Sequence, residues 1–420
     1  MRIFHNLKRS SLSIQGCIGL ILIVFLFSWI SFFPQPIKEK YWLLTQLFLA
    51  IFFLFFVLIK EHRARLFSFS DWPLWLLLVC LSAGIPSAID KKAAFKTYYY
   101  LATHLVTLFY IGKALFLSER DRKIVMSVIC VFSLFVSLIG ILQASYAANL
   151  FYKYFIYECR YSPALMRLQA TQYNPVVLGS FLLGLLPFTL YFYRNKSLIL
   201  RLVSLVSFLS TAGVIVLTYS RGAFMGILAM FVYWLWHKKY RKTIVVVLLL
   251  VTSLILFFSL GWRSRIFSSG TGIHRLFSVQ KGDFAARGRR IVMAYRMVKD
   301  HPFSGVGLNH FRIRFKEYNG DNGTEWVKYK YMVADNMYCT LFSETGLLGA
   351  GGFLVFILFL LKRGLVHIRR DGGFALTATL AAFIGLLVNM SVYEFFYWSN
   401  PFTFFCLLAG FIQGSITKLR

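Results

Sequence analysis

The sequence predicts an all-α polytopic membrane protein of about twelve transmembrane helices. Hydrophobic residues make up 58% of the 420-residue chain and charged residues 15%, where a soluble domain carries about 25% charged residues. The apolar residues form continuous blocks of about twenty, the length that crosses a hydrocarbon core. A porin-like barrel would instead alternate in segments of about ten. Backbone groups in hydrocarbon must find partners within their own segment, so each block reads as a helix.

In order, the predicted spans are 14–33, 41–59, 72–89, 97–117, 124–146, 174–193, 200–218, 222–237, 243–260, 345–361, 373–393 and 400–416. The first is a retained anchor, because it is long and lacks a small-residue cleavage site. Pro175 and Pro187 lie near the ends of the sixth and shape it. The chain divides into 1–160 with the first five spans, 161–260 with spans six to nine, a long loop at 261–344, and 345–420 with the last three spans.

Orientation follows from Lys and Arg in the short loops. The set that includes the N-terminus holds 23 of the 46 cations, among them Lys60, Lys113, Arg194, Lys238 and Lys362, and the short loops of the opposite set hold nine. Both termini are therefore cytoplasmic. The other 14 cations lie in the 261–344 loop on the far side, beside seven carboxylates. Long loops escape the orientation rule. This basic surface fits an anionic ligand such as carrier phosphates, and equally the anionic headgroups of membrane lipids. A nucleic-acid partner is excluded, because that reading needs a soluble basic domain. The six cysteines show neither C-x-x-C nor metal spacing, so no disulfide framework or zinc site is indicated.

Four motifs have the residue types for chemistry. Tyr219-Ser220-Arg221-Gly222 forms a short outer turn. An arginine held between helices at membrane depth tends to be functional, although one at a helix end also snorkels. Next comes Ala286-Arg287-Gly288-Arg289-Arg290, followed by Ile291, Ala294, Tyr295 and Val298. Those four apolar positions have helical spacing and put Arg287 on the inward face, with Arg289 and Arg290 pointing elsewhere. A buried arginine needs an anion, either phosphate or a loop carboxylate. Pro302 ends this helix, and Gly305-Val306-Gly307 turns, flanked by His301 and His310, which read as solvated loop histidines.

The third motif is Asp335-Asn336-Met337-Tyr338 leading to Glu344-Thr345-Gly346-Leu347-Leu348-Gly349. Asp335 suits a general base and equally a helix N-cap. The fourth is Arg167-Leu168-Gln169-Ala170, ahead of Tyr173-Asn174-Pro175. It supplies a further outer arginine.

Taken together, the Ser220-Arg221-Gly222 turn, Arg287 fifteen residues before Pro302, the Gly-Val-Gly turn and the Asp335 to Gly349 stretch resemble the O-antigen ligase/polymerase superfamily of bacterial envelope proteins. The resemblance spans roughly 160–416. It implies a metal-independent, inverting glycosyltransferase of GT-C architecture in the bacterial inner membrane, with its long periplasmic loop between spans nine and ten and no cofactor. The donor it implies is an undecaprenyl-diphosphate-linked glycan. The acceptor is the lipid A core for a ligase, or another lipid-linked glycan for a polymerase. Arg221 and Arg287 match arginines that contact the diphosphate, and Arg167 is assigned beside them. Asp335 stands where the family commonly has a histidine base. Asn336, Tyr338, Glu344 and His301 are assigned to orienting the acceptor. The alternative is a flippase for the same lipid-linked glycan. A flippase would want charge along a central path through the spans, and the assigned spans carry hardly any.

Overall fold

The computed structural model describes residues 67–144, 168–172, 174–237, 281–319, 332–371, 373–397 and 399–417, with Val24 and Ile51. All of the regular structure among them is helical. A 3-10 turn, Phe69–Asp71, leads into α1 (Trp72–Ser82), followed by α2 (Lys91–Leu117) and α3 (Glu119–Ala144). Then come α4 (Pro175–Leu185), α5 (Leu198–Leu217), α6 (Arg221–His237) and α7 (Lys281–Asp300). A one-turn helix, α8 (Phe311–Arg314), precedes α9 (Met337–Asp371), α10 (Phe374–Met390) and α11 (Ser399–Thr417). Among the described residues four helices are long and apolar enough to cross a membrane: Lys91–Leu117, Glu119–Leu142, Leu198–Leu217 and Met337–Arg370. Apart from Val24 and Ile51, the expected spans 14–33, 41–59 and 243–260 lie outside the described residues, and every other one is occupied by a helix.

Several boundaries differ for physical reasons. The span expected at 72–89 ends as a helix at Ser82, and residues 83–87 form turns. In the sixth span Pro175 occupies the first turn, where its missing N–H costs nothing, and Asn174 caps it by accepting Val176 N–H at 2.8 Å. Around Pro187 the helix tightens into a 3-10 turn, Leu186–Leu190. The span expected to begin at 345 begins at Met337 and breaks at Gly346 (φ 61°, ψ −161°).

At the centre of the bundle stands α11, buried along nearly its whole length. Its close partner is α2, and small residues make the approach possible. A Cβ on Gly410 would sit 2.1 Å from the Phe109 carbonyl oxygen, and one on Gly112 would sit 2.5 Å from that of Leu407. Between α3 and α5 the contact is polar: Ser133 and Ser137 hydroxyls lie 2.7 Å and 3.0 Å from Thr211 Oγ1. The opposite face of α5 exposes Leu198, Ile199, Leu202, Leu205, Val206 and Leu209. An apolar stripe of that length suits lipid.

Lys113 was counted above among the cytoplasmic loop cations. The structure puts it inside α2, fully buried, with Nζ 2.7 Å from Asp71 Oδ2. Gln413 of α11 donates to the same carboxylate at 3.0 Å. Removing this one residue from the count leaves the charge bias standing.

Candidate active site

Residues 293–334 build a small apolar cluster of their own, apart from the main core. It joins Met293, Ala294 and Met297 of α7 to Val306, Phe311, Phe315, Tyr318, Met332 and Ala334. This corrects the inward face expected for α7. Ala294 is buried as expected, but Ile291 and Tyr295 are exposed, and the methionines take their place. Ile291 and Tyr295 fitted helical spacing equally well; the partner surface selected the neighbouring stripe.

The shift of face brings in Arg290, which was expected to point away. Three residues before Met293, it forms an ion pair with Asp335, Nη1 to Oδ2. Arg287 lies one turn earlier on the same side. It is half-buried, with no hydrogen bond or ion pair among the described residues. Arg289 is exposed.

Asp335 is not the cap of α9. Asn336 is: its Oδ1 accepts Cys339 N–H at 3.1 Å, and its carbonyl accepts Thr340 N–H at 3.0 Å. Asp335 precedes the cap in a left-handed conformation (φ 53°), which leaves its carboxylate for Arg290. Tyr338 turns away from it and donates its hydroxyl to the Leu387 carbonyl of α10 at 2.8 Å.

The break at Gly346 leaves backbone groups of α9 without helical partners, and the turn after α7 supplies them. Val306 N–H donates to Ser343 O at 2.8 Å, and Gly307 N–H to Glu344 O at 3.0 Å. In return Leu347 N–H donates to Pro302 O at 2.8 Å. Glu344 completes the joint. It is 2% exposed and accepts from Asn309 N–H at 2.8 Å, Phe311 N–H at 3.1 Å and the Tyr397 hydroxyl.

Arg221 opens α6, after Tyr219 in a left-handed conformation (φ 50°) and Ser220, whose Oγ accepts Ala223 N–H at 3.4 Å. Gly222 lets Val392 close in, since a Cβ there would lie 2.5 Å from Val392 Cγ2. Arg167 lies outside the described residues; its neighbour Leu168 donates its N–H to Leu217 O at 3.4 Å, beside the Arg221 turn. His301 faces Arg314, with Nε2 3.3 Å from Nη1. His310 is not a solvated loop residue. It is 1% exposed, its Nδ1 lies 2.7 Å from Leu308 O, and its Nε2 accepts Asp90 N–H at 3.1 Å. These partners assign the ring proton to Nδ1.

One segment, 391–397, ties these parts together. Val392 packs on Gly222, Tyr397 donates to Glu344, and Glu394 Oε1 lies 2.9 Å from Thr340 Oγ1. Glu394 was missed in the sequence, where the eleventh span was ended one residue short of it. The signal was there: it is the only carboxylate after Asp371. Burial, and then the charge of Glu344, push its carboxyl up to about 8. Among the described residues no group of three His, Cys, Asp or Glu is placed to hold a metal ion.

No curated protein matches the chain. Residues 205–354 match the family model described as O-antigen ligase. That stretch runs from within α5 through the Arg221 turn, α7 and Asp335 to the break in α9 and beyond it. Residues 205–354 are thus similar to the O-antigen ligase family, which supports the resemblance of the chain to the O-antigen ligase/polymerase superfamily.

Proposed function

We propose that the protein is a GT-C-type glycosyltransferase that moves a glycan from undecaprenyl-diphosphate to an acceptor saccharide at the periplasmic face of the bacterial inner membrane. The acceptor is the lipid A core in a ligase, or a second lipid-linked chain in a polymerase. The observation that carries this reading is the junction of α7 with the start of α9. There an arginine-rich helix aligns Arg287 and Arg290 and brings Arg290 to Asp335 at the mouth of an apolar helix.

Inverting transfer needs positive charge where the diphosphate departs and an acceptor for the hydroxyl proton. The acceptor oxygen bonds to the anomeric carbon as the carbon–oxygen bond to the diphosphate breaks. The bonding pair leaves with the diphosphate towards Arg287 and Arg221, whose planar forks suit phosphate oxygens. The proton passes to Asp335. Arg290 then has two anions to serve. Without donor it covers Asp335, and a bound diphosphate draws it away and uncovers the carboxylate for the acceptor hydroxyl.

Purified protein mixed in detergent with undecaprenyl-diphosphate-linked glycan and either acceptor tests this. Sugar transfer without a gradient is expected, and its absence with both acceptors sinks the proposal. Deletion in the native host then separates the acceptors on a lipopolysaccharide gel. Loss of all O-chains marks a ligase, and core carrying a single repeat marks a polymerase.

A further inference from the structure

Glu394 has no task in the reaction just described, yet it is a carboxyl group 5% exposed beside a second buried carboxylate. Its one hydrogen-bond partner among the described residues, Thr340, poses a proton count. Thr340 Oγ1 lies 2.9 Å from Glu394 Oε1 and 3.0 Å from the Asn336 carbonyl oxygen. A hydroxyl has one proton to give, and a carbonyl has none. When the threonine proton serves Asn336, as it does in a helix turn, the hydrogen between Thr340 and Glu394 must come from the carboxyl group. Glu344 is the reverse case, ringed by two backbone N–H groups and a phenol, all pointing at it. With the threonine proton on the Asn336 carbonyl, Glu344 is the member of the pair better supplied with donors and Glu394 the member that keeps a proton.

We propose that Glu394 is a positioning residue held in its protonated form, whose carboxyl O–H donates to Thr340 and ties the loop between the last two helices to the turn that presents Asp335. The inference rests on the glycosyl-transfer reading for its effect on rate, but not for the proton itself. The tie matters because the same loop packs Val392 against the Arg221 turn and sends Tyr397 to Glu344. Loss of the proton puts a second charge beside Glu344 and loosens the loop that joins Arg221 to Asp335.

Burial and the neighbouring carboxylates favour the neutral form of Glu394, against the Thr340 hydroxyl when it donates and against Arg312. Glu344 and Asp335 face it from α9 and the residue before its cap, Tyr397 from its own segment, and Arg312 of α8 is the one opposing cation among the groups that act on it. The carboxyl is raised to about 8, first by burial and then by Glu344. The carboxyl therefore keeps its proton at neutral pH and gives it up as pH climbs through about 8, while the stability linked to it is complete only below the ordinary value of 4.5 and declines up to about 8.

The test compares wild type, Glu394→Gln and Glu394→Ala in full-length protein, each first shown to elute as a single species in detergent. Transfer by the wild type should fall as pH rises through about 8. Glu394→Ala should lower kcat about tenfold or more. Glu394→Gln keeps a donor and has no proton to lose. It should rescue the rate to within about threefold at neutral pH and abolish the alkaline fall. Infrared spectroscopy adds a readout free of activity: a protonated-carboxyl stretch present in the wild type and missing from Glu394→Gln. A Glu394→Gln protein as slow as Glu394→Ala, an unchanged alkaline fall, or identical carboxyl stretches would each overturn the proposal. A wild type that transfers nothing at any pH, while the stretch behaves as expected, would uphold the protonated tie and sink the transferase reading instead.

Discussion

Asp335 shows how much one position of displacement matters. Because Asn336 caps α9, Asp335 has no capping task, and its carboxylate pairs with Arg290. Asp335→Asn should therefore leave thermal stability nearly unchanged, since a half-exposed ion pair contributes about 0–1 kcal/mol. Its transfer rate should fall about tenfold or more. Equal rates for wild type and variant would remove Asp335 from proton transfer. Asn336→Ala is the complementary case: loss of a cap costs about 1 kcal/mol of stability, read as a lower melting temperature. Arg287 tests the donor side. Arg287→Lys keeps the charge but not the fork, and should slow transfer about tenfold, on the order of 1.4 kcal/mol. A fully active lysine variant would take Arg287 out of the phosphate site.

At the level of the element, the break in α9 is the feature on which the site is assembled. Gly346 adopts φ 61° and ψ −161°, a region essentially confined to glycine. A Cβ there would fall 2.4 Å from the Phe303 carbonyl carbon. On the other side, Gly305 (φ 66°) presses against the Glu344 carbonyl, where a Cβ would lie 2.3 Å away. Each substitution to alanine should cost about 1–3 kcal/mol from backbone strain alone and displace the loop that delivers Asn309 and Phe311 to Glu344. The expected result is a lower melting temperature and reduced transfer. Gly351→Ala is the control. Nothing lies within 4 Å of a Cβ at that helical position, so it should be neutral or slightly stabilising. A Gly346→Ala protein as stable as Gly351→Ala would show that the break does not depend on glycine.

Across the whole molecule, one buried polar link ties distant parts of the bundle together. The buried Lys113–Asp71 pair, with Gln413, links α2, the turn before α1 and α11. Removing one partner leaves a bare buried charge, so Lys113→Met should destabilise by about 3–5 kcal/mol. Replacing Asp71 with leucine as well should restore much of the loss. A double variant no better than the single would mean the pair is not the cause. Orientation is tested with cysteines introduced into a background lacking the native six. Position 316, exposed beyond α8, should react with an impermeant reagent in intact spheroplasts, and position 196, exposed before α5, should not. The reverse pattern would invert the topology.

What the sequence determined by itself follows from solvent. Hydrocarbon admits only helices with satisfied backbones, so composition and block length were enough to read an all-helical membrane protein. The same holds for local motifs whose physics lies in the residue type: Asn174-Pro175 as a helix start, Gly305-Val306-Gly307 as a turn, and Arg287 with Asp335 as candidates for chemistry. Which stripe of α7 faces inward was decided by tertiary structure, because Met293 and Met297 fit helical periodicity no better than Ile291 and Tyr295 until Phe311 and Phe315 pack against them. That choice put Arg290 on Asp335. Glu394 belongs to the same category. It sits 50 residues beyond Glu344 in the chain, and no local pattern joins them; only the fold of α9, α10 and α11 brings two carboxyl groups to one buried place, where the surrounding donors decide which of them keeps its charge.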